Sequence, residues 1–164
     1  METIQAIQNR RSCRFFNSRP VPRALVEKII DCGRLAPTAR NVQPWEFVVV
    51  TKKETLKTLG SLAENAKFLA DCALCIAVFC QDTKYYLEDG AAATMNILTA
   101  ASDLGVAACW VAGDKKDYCE EVKKMLGAPT NYKLVSMVAL GYSDSKPGMP
   151  FKKPLKEVLH WEKF

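Results

Sequence analysis

Apolar and polar positions along this chain follow two periods, one helical and one extended. Residues 3–9 read as a short helix leading into the cluster Arg10-Arg11-Ser12-Cys13-Arg14. Pro20 and Pro22 break the chain and set up the next helix, with proline at its first turn. In that helix Val26, Ile29, Ile30 and Gly33 fall at i, i+3, i+4 and i+7, one face of a helical period, and Ala36-Pro37 ends it. Trp45–Thr51 (WEFVVVT) predicts a strand, Glu54–Leu62 a helix and Asn65–Leu69 a shorter one. Cys72–Cys80 is apolar almost throughout, the pattern of a buried strand. Residues 87–104 form the longest predicted helix, small or apolar on most faces, which puts it in a core or at a subunit interface. Gly105 ends it. Val106–Ala112 and Leu134–Leu140 are further buried strands. Between them Asp117–Leu126 predicts a helix with Val122 and Met125 inward, closed by Gly127 and Pro129.

About four strands among five or more helices, without strict alternation, predict an α+β sandwich rather than a doubly wound sheet. No G-x-G-x-x-G follows a strand and no G-x-x-x-x-G-K-[ST] occurs, so dinucleotide-fold and P-loop readings lose their main support. The 164 residues suit one domain. Residues 143–164 read as an extended C-terminal arm. Its first part is rich in Pro and Gly and carries Lys146, Lys152 and Lys153. Its end carries Leu155, Val158, Leu159, Trp161 and Phe164. So apolar a tail must pack on something, and its place far along the chain points to a partner subunit.

Composition narrows the function. Apolar residues make up 49% and charged residues 25%, as in globular proteins and unlike disordered ones. No apolar stretch reaches the roughly 20 residues of a membrane helix, and METIQAIQNRR lacks the pattern of a signal peptide, so a cytoplasmic location is expected. Lys and Arg number 23 against 18 Asp and Glu, a net charge of +5. These charges are scattered, which disfavours a nucleic-acid surface; a basic pocket for a small anion accounts for the same excess. Seven cysteines, an odd number without a leader, argue against a disulfide scaffold. The single histidine, His160, disfavours a Ser-His-Asp triad or a multi-histidine metal site. Difficult chemistry, if there is any, belongs to a bound cofactor.

Four segments stand out. Arg10-Arg11-Ser12-Cys13-Arg14 concentrates guanidiniums suited to phosphate, although cations also suit a helix C-terminus. Ala36-Pro37-Thr38-Ala39-Arg40-Asn41-Val42-Gln43-Pro44-Trp45 is rich in small polar donors and stiffened by its prolines; its plain reading is a helix-to-strand connector with Trp45 as a core anchor. Cys109-Trp110-Val111-Ala112-Gly113-Asp114 ends a strand with small residues that let a ligand approach backbone N–H groups, or is an ordinary turn. Pro150-Phe151-Lys152-Lys153-Pro154 matters only if it folds back beside Arg10 and Ser12. The pair Cys72 and Cys75 has no second pair or nearby histidine and reads as buried structure.

In this order, these pieces resemble the FMN-dependent nitroreductase family across essentially the whole chain. The segments Arg10–Phe16 and Ala36–Trp45 weigh most, joined by Asn96-Ile97-Leu98, Leu104-Gly105, Cys109–Gly113 and Lys152–Trp161. The resemblance implies a nitroreductase-like α+β sandwich with a mainly antiparallel sheet, an intertwined homodimer and two FMN sites built from both chains. Arg10, Arg11, Ser12 and Arg14 would supply phosphate and flavin contacts, with Lys152 and Lys153 completing the phosphate clamp. Pro37, Thr38, Ala39 and Asn41 would come from the other chain to line the ring system. Asn65 and Lys67 would lie at its pyrimidine edge. Ala112 and Gly113 would point backbone N–H groups toward N5 and O4. NADH or NADPH would donate electrons, and a nitroaromatic, quinone or similar small-molecule acceptor would take them in a ping-pong scheme. A non-catalytic flavin-binding dimer and a reductive dehalogenase or dehydrogenase are the alternatives. The chain departs from larger members in having no room between Tyr86 and Leu104 for a substrate-covering insertion. It departs again at Ala39 and Arg40, where Arg40 would alter which acceptor fits.

Overall fold

The strand Leu74–Gln81 (β2) is buried at seven consecutive positions, and the rest of the fold is arranged to keep it so. It pairs antiparallel with Trp45–Val50 (β1) on one side and Tyr132–Gly141 (β4) on the other; Ala107–Ala112 (β3) completes the order β1-β2-β4-β3. A run apolar on both faces is more usual in parallel sheets. Here the sheet is antiparallel throughout, and the run is apolar because helices cover both sides. The computed structural model describes residues 2–145 and 147–164; Lys146 of the basic arm lies outside them.

One face of β2, formed by Leu74, Ile76, Val78 and Cys80, packs under Arg23–Arg34 (α2) and Tyr86–Asp103 (α4) through Val26, Ile29, Ala93 and Ile97. The other, with Cys75, Ala77 and Phe79, packs under Lys53–Leu62 (α3), the 3-10 turn Glu64–Ala70 and Cys119–Leu126 (α5) through Leu56, Leu59, Leu69 and Val122. This is the expected α+β sandwich. Cys72 and Cys75 are buried in the second layer, as their structural reading requires, and burial pushes the Cys72 thiol up to about 11.

From Asp89 to Asp103 only Met95 of α4 is exposed, as its small, apolar sequence predicts. Its few polar side chains tie the layers together. Thr94 Oγ1 and Ser136 Oγ of β4 form a buried pair at 2.8 Å. Asn96 Nδ2 donates to Cys32 O at the end of α2, and Ser102 Oγ donates to Ala6 O of Thr3–Asn9 (α1). Helix α5 begins at Cys119 rather than Asp117, because the preceding residues form a turn with Lys115 at φ 63°. Gly127 closes α5 in the left-handed conformation at φ 69°, which glycine adopts at little cost.

The β2–β4 register slips by one residue between Val78 and Phe79, leaving Val135 as the extra residue of a bulge. Its carbonyl thereby turns outward to accept Gly113 N–H at 3.1 Å, docking the end of β3 on β4. The start of the arm touches the rest of the chain, Asp144 accepting from Asn17 Nδ2 at 3.3 Å, but its end is not buried against it. Residues 151–164 are exposed throughout, including Phe151 at 87% and Trp161 at 81%. His160 stacks on Phe164 at 4.5 Å within the arm itself. Among the described residues no helix is long and apolar enough to cross a membrane.

Candidate functional site

The arginine cluster is an extended segment laid on the outer edge of β3. Ser12 bridges Ala108 in parallel, and Cys13 N–H donates to Ala108 O at 2.9 Å. Extended backbone alternates its side chains, so buried Cys13 points inward while Ser12 and Arg14 face out together. Arg10 and Arg14 flank the same stretch of β3. Burial pushes the Cys109 thiol up, and both guanidiniums oppose that push.

Arg10 and Arg11 meet Lys152 of the C-terminal arm around a cavity of about 440 Å³, walled also by Met149 and Pro150. The basic arm therefore folds back beside the arginine cluster. No carboxylate lines this cavity among the described residues. Arg10 and Arg11 also border a second cavity of about 520 Å³ on Ala107, Ala108 and Tyr142. Arg11 is also structural. Its Nη1 donates to Gln8 O at 2.6 Å and to Arg10 O at 2.9 Å, capping the end of α1 as a cation after a helix should. Lys153 is exposed.

Arg14 lines a separate cleft of about 430 Å³ with Asn65, Trp110, Ala112, Lys116 and Tyr118. Its guanidinium lies 6.0 Å from the Phe68 ring centroid. Arg14, Asn65 and Ala112 thus line one cleft. Lys67 is exposed and does not line this cleft, because the 3-10 turn carrying it is kinked at Ala66. The donor role expected of Gly113 is also corrected: its N–H is already given to Val135 O. Three side chains pin this turn. Tyr118 Oη donates to Ala112 O, Cys119 Sγ donates to Gly113 O at 2.8 Å, and Tyr86 Oη donates to Asp114 Oδ1 at 2.6 Å. The last bond, with burial, holds the Tyr86 phenol protonated, its pKa pushed up to about 12. Sequence reasoning misses Lys116 and Tyr118, since an irregular turn has no periodicity to reveal which side chains line a cleft.

The loop Pro37–Asn41 does not join these cavities within one chain. It forms a 3-10 turn, Ala39–Asn41, braced by Thr38 Oγ1, which accepts Gln43 N–H at 3.2 Å. Arg40, Asn41 and Gln43 all sit at positive φ, at 56°, 55° and 52°. Pro37, Arg40 and Asn41 are exposed, and Thr38 and Ala39 are half-buried. Trp45, 8% exposed, is the core anchor of the connector reading.

Three cations on one cavity and a separate cleft carrying Arg14, Asn65, Phe68, Trp110 and Tyr118 are a donor set able to hold an anionic, partly planar ligand. The family model described as "Nitroreductase family" matches residues 7–79 and 65–142. The chain belongs to the nitroreductase family and is an oxidoreductase. It is 34% identical over 149 residues to an Archaeoglobus fulgidus protein described as "Putative NADH dehydrogenase/NAD(P)H nitroreductase", covering 86% of this chain and 85% of that one. A crystal structure of the same description from Parabacteroides distasonis superposes with a TM-score of 0.94 at 29% identity, covering 100% of this chain and 99% of that one. The structure of an FMN-dependent nitroreductase from Clostridium difficile superposes with a TM-score of 0.91 at 25% identity, covering 98% and 99%.

Proposed function

We propose that this chain is an FMN-dependent NAD(P)H oxidoreductase that reduces nitroaromatic, quinone or similar electron-poor acceptors as a homodimer. The observation that carries this reading is the cavity shared by Arg10, Arg11 and Lys152, whose lining, among the described residues, has three cations and no carboxylate. Its donor set fits a phosphate monoester, whose nearly two negative charges need charge-assisted donors when taken out of water. In this reading Ser12 and Lys153, exposed neighbours in sequence of that lining, would add a hydroxyl donor and a further positive charge. FMN, when bound, supplies hydride acceptance from the nicotinamide and electron release to the acceptor. The protein's part is to hold and orient. Arg14 and Asn65 offer donors to the polar edge of a planar ring, and the Arg14 guanidinium, in a cleft that Lys116, Glu64 and Asp117 also line, favours a ring that gains negative charge on reduction. Ala112, at the exposed end of β3, presents backbone to that ring. Pro37, Thr38, Ala39 and Asn41 reach the partner's ring in this reading.

The purified protein is expected to be yellow, with a flavin absorbance that NADH or NADPH bleaches under anaerobic conditions. A colourless protein that ignores added FMN ends the reading. Bound FMN with no turnover on either nicotinamide and a panel of acceptors would make it a flavin-binding dimer instead.

The dimer is supported by the exposed apolar arm, in which Leu155 is 71% exposed and Val158 55%. Side chains of this kind gain about 1.5–3 kcal/mol each when fully buried. Deleting residues 155–164 is expected to shift the protein toward monomer in size-exclusion chromatography with light scattering. A truncated chain that still runs as a flavin-loaded dimer would show that the arm is not what joins the subunits.

A further inference from the structure

Helix α4 holds the connection between α2 and β1 with two side chains seven residues apart, which share a helix face. Asn96 Nδ2 grips Cys32 O at 3.0 Å, in the last turn of α2. Asp89 Oδ1 accepts Ala39 N–H at 3.1 Å, at the first residue of the 3-10 turn. Thr38, the residue at the cap of that turn, makes no side-chain capping bond to it. Asp89, fifty residues away in sequence, does what a local cap would do.

Asp89 is 5% exposed and, among the described residues, no cation is ion-paired with it. A buried carboxylate is costly unless something receives its charge. Two things receive it here. One is the Ala39 N–H; the other is the positive end of α4, in whose first turn Asp89 stands. The loop it holds contains three non-glycine residues at positive φ, a conformation that persists only when its surroundings impose it.

We propose that Asp89 is a positioning residue of the cofactor site: it seats Thr38–Asn41 in the conformation in which the loop meets the partner protomer's FMN. The inference rests on the reading that this loop lines the partner's ring system. It assigns a role to a carboxylate that touches no cofactor itself. Asparagine at this position keeps an acceptor oxygen for the Ala39 N–H, whereas alanine keeps none. The donor can be removed independently. Thr38 already has the extended backbone (φ −130°, ψ 151°) that a residue before proline adopts, so Ala39→Pro deletes the N–H while leaving Asp89 intact.

The test titrates FMN into the apo forms of the wild-type, Asp89→Ala, Asp89→Asn, Ala39→Pro and double Asp89→Ala/Ala39→Pro proteins. Flavin fluorescence quenching gives the Kd, the visible circular dichroism of the bound flavin reports its seating, and thermal melts of the apo proteins report stability. Asp89→Ala and Ala39→Pro are each expected to raise the Kd about tenfold and to change the dichroism. Asp89→Asn is expected to stay within about threefold of wild type, and the double variant to be no worse than either single one, because both remove one bond. A merely structural role would lower the melting temperatures and leave Kd and dichroism alone; that result, or additive losses in the double variant, overturns the proposal. Should the wild type itself bind no FMN, the functional reading falls and takes this inference with it. Tight wild-type binding with unaltered variants removes the inference alone.

Discussion

Replacing Arg10 with alanine is expected to weaken FMN binding roughly ten- to a hundredfold, the effect of losing a charge-assisted bond worth about 1.5–3 kcal/mol. Arg10 borders both cavities and forms no ion pair with a carboxylate among the described residues, so its charge is available to a ligand. Arg11→Ala is a less clean experiment, because it also strips Gln8 O and Arg10 O of their donor and frays α1. The measurement is an FMN titration of the apoprotein at two salt concentrations, with the thermal melt of Arg10→Ala as control. A Kd equal to that of the wild type would locate the phosphate elsewhere.

The substitution Gly113→Ala is expected to cost about 3 kcal/mol or more, since overpacking of this kind commonly costs 1–3 and a strand backbone yields less readily than a side chain. A Cβ at this position would stand 2.6 Å from both the carbonyl carbon and the oxygen of Val135. The β-bulge and the turn after β3 would have to separate, breaking the Gly113 N–H bond to Val135 O. For a chain of this size that corresponds to a fall in melting temperature of roughly 6–12 °C. Gly148→Ala, where an added Cβ meets nothing within 4 Å, is the control and should stay within about 0.5 kcal/mol. Equal melting temperatures for the two variants would mean that Val135 can yield.

The elements themselves are largely readable from the chain. The expected strand Trp45–Thr51 is Trp45–Val50, and the expected helix 87–104 is Tyr86–Asp103. Both have long, one-sided or uninterrupted apolar patterns, and such patterns are imposed by burial. The order β1-β2-β4-β3 is not readable, because strands that are apolar on both faces do not say which neighbour they take. The Val135 bulge leaves no signature for the same reason: one more apolar residue in an apolar strand looks like the others. At the candidate site, Arg10 and Arg11 stand out in the sequence as guanidiniums concentrated just past a helix, whereas Lys152 is tied to them only by the family resemblance, because nothing local says where an arm will fold back. For Gly113 the sequence points to the right neighbourhood and the wrong bond, since which acceptor takes an N–H depends on register. Asp89 does carry a signal, as one of two acids opening a helix whose middle is mostly small and apolar, but nothing local says which distant N–H it will meet.

The cavity proposed for the phosphate joins Arg10 and Arg11 to Lys152. Chains emerge from the ribosome N-terminus first, at about 5–20 residues per second. The two arginines therefore wait while about 140 further residues are made before their lysine exists, and the cavity cannot be completed until then.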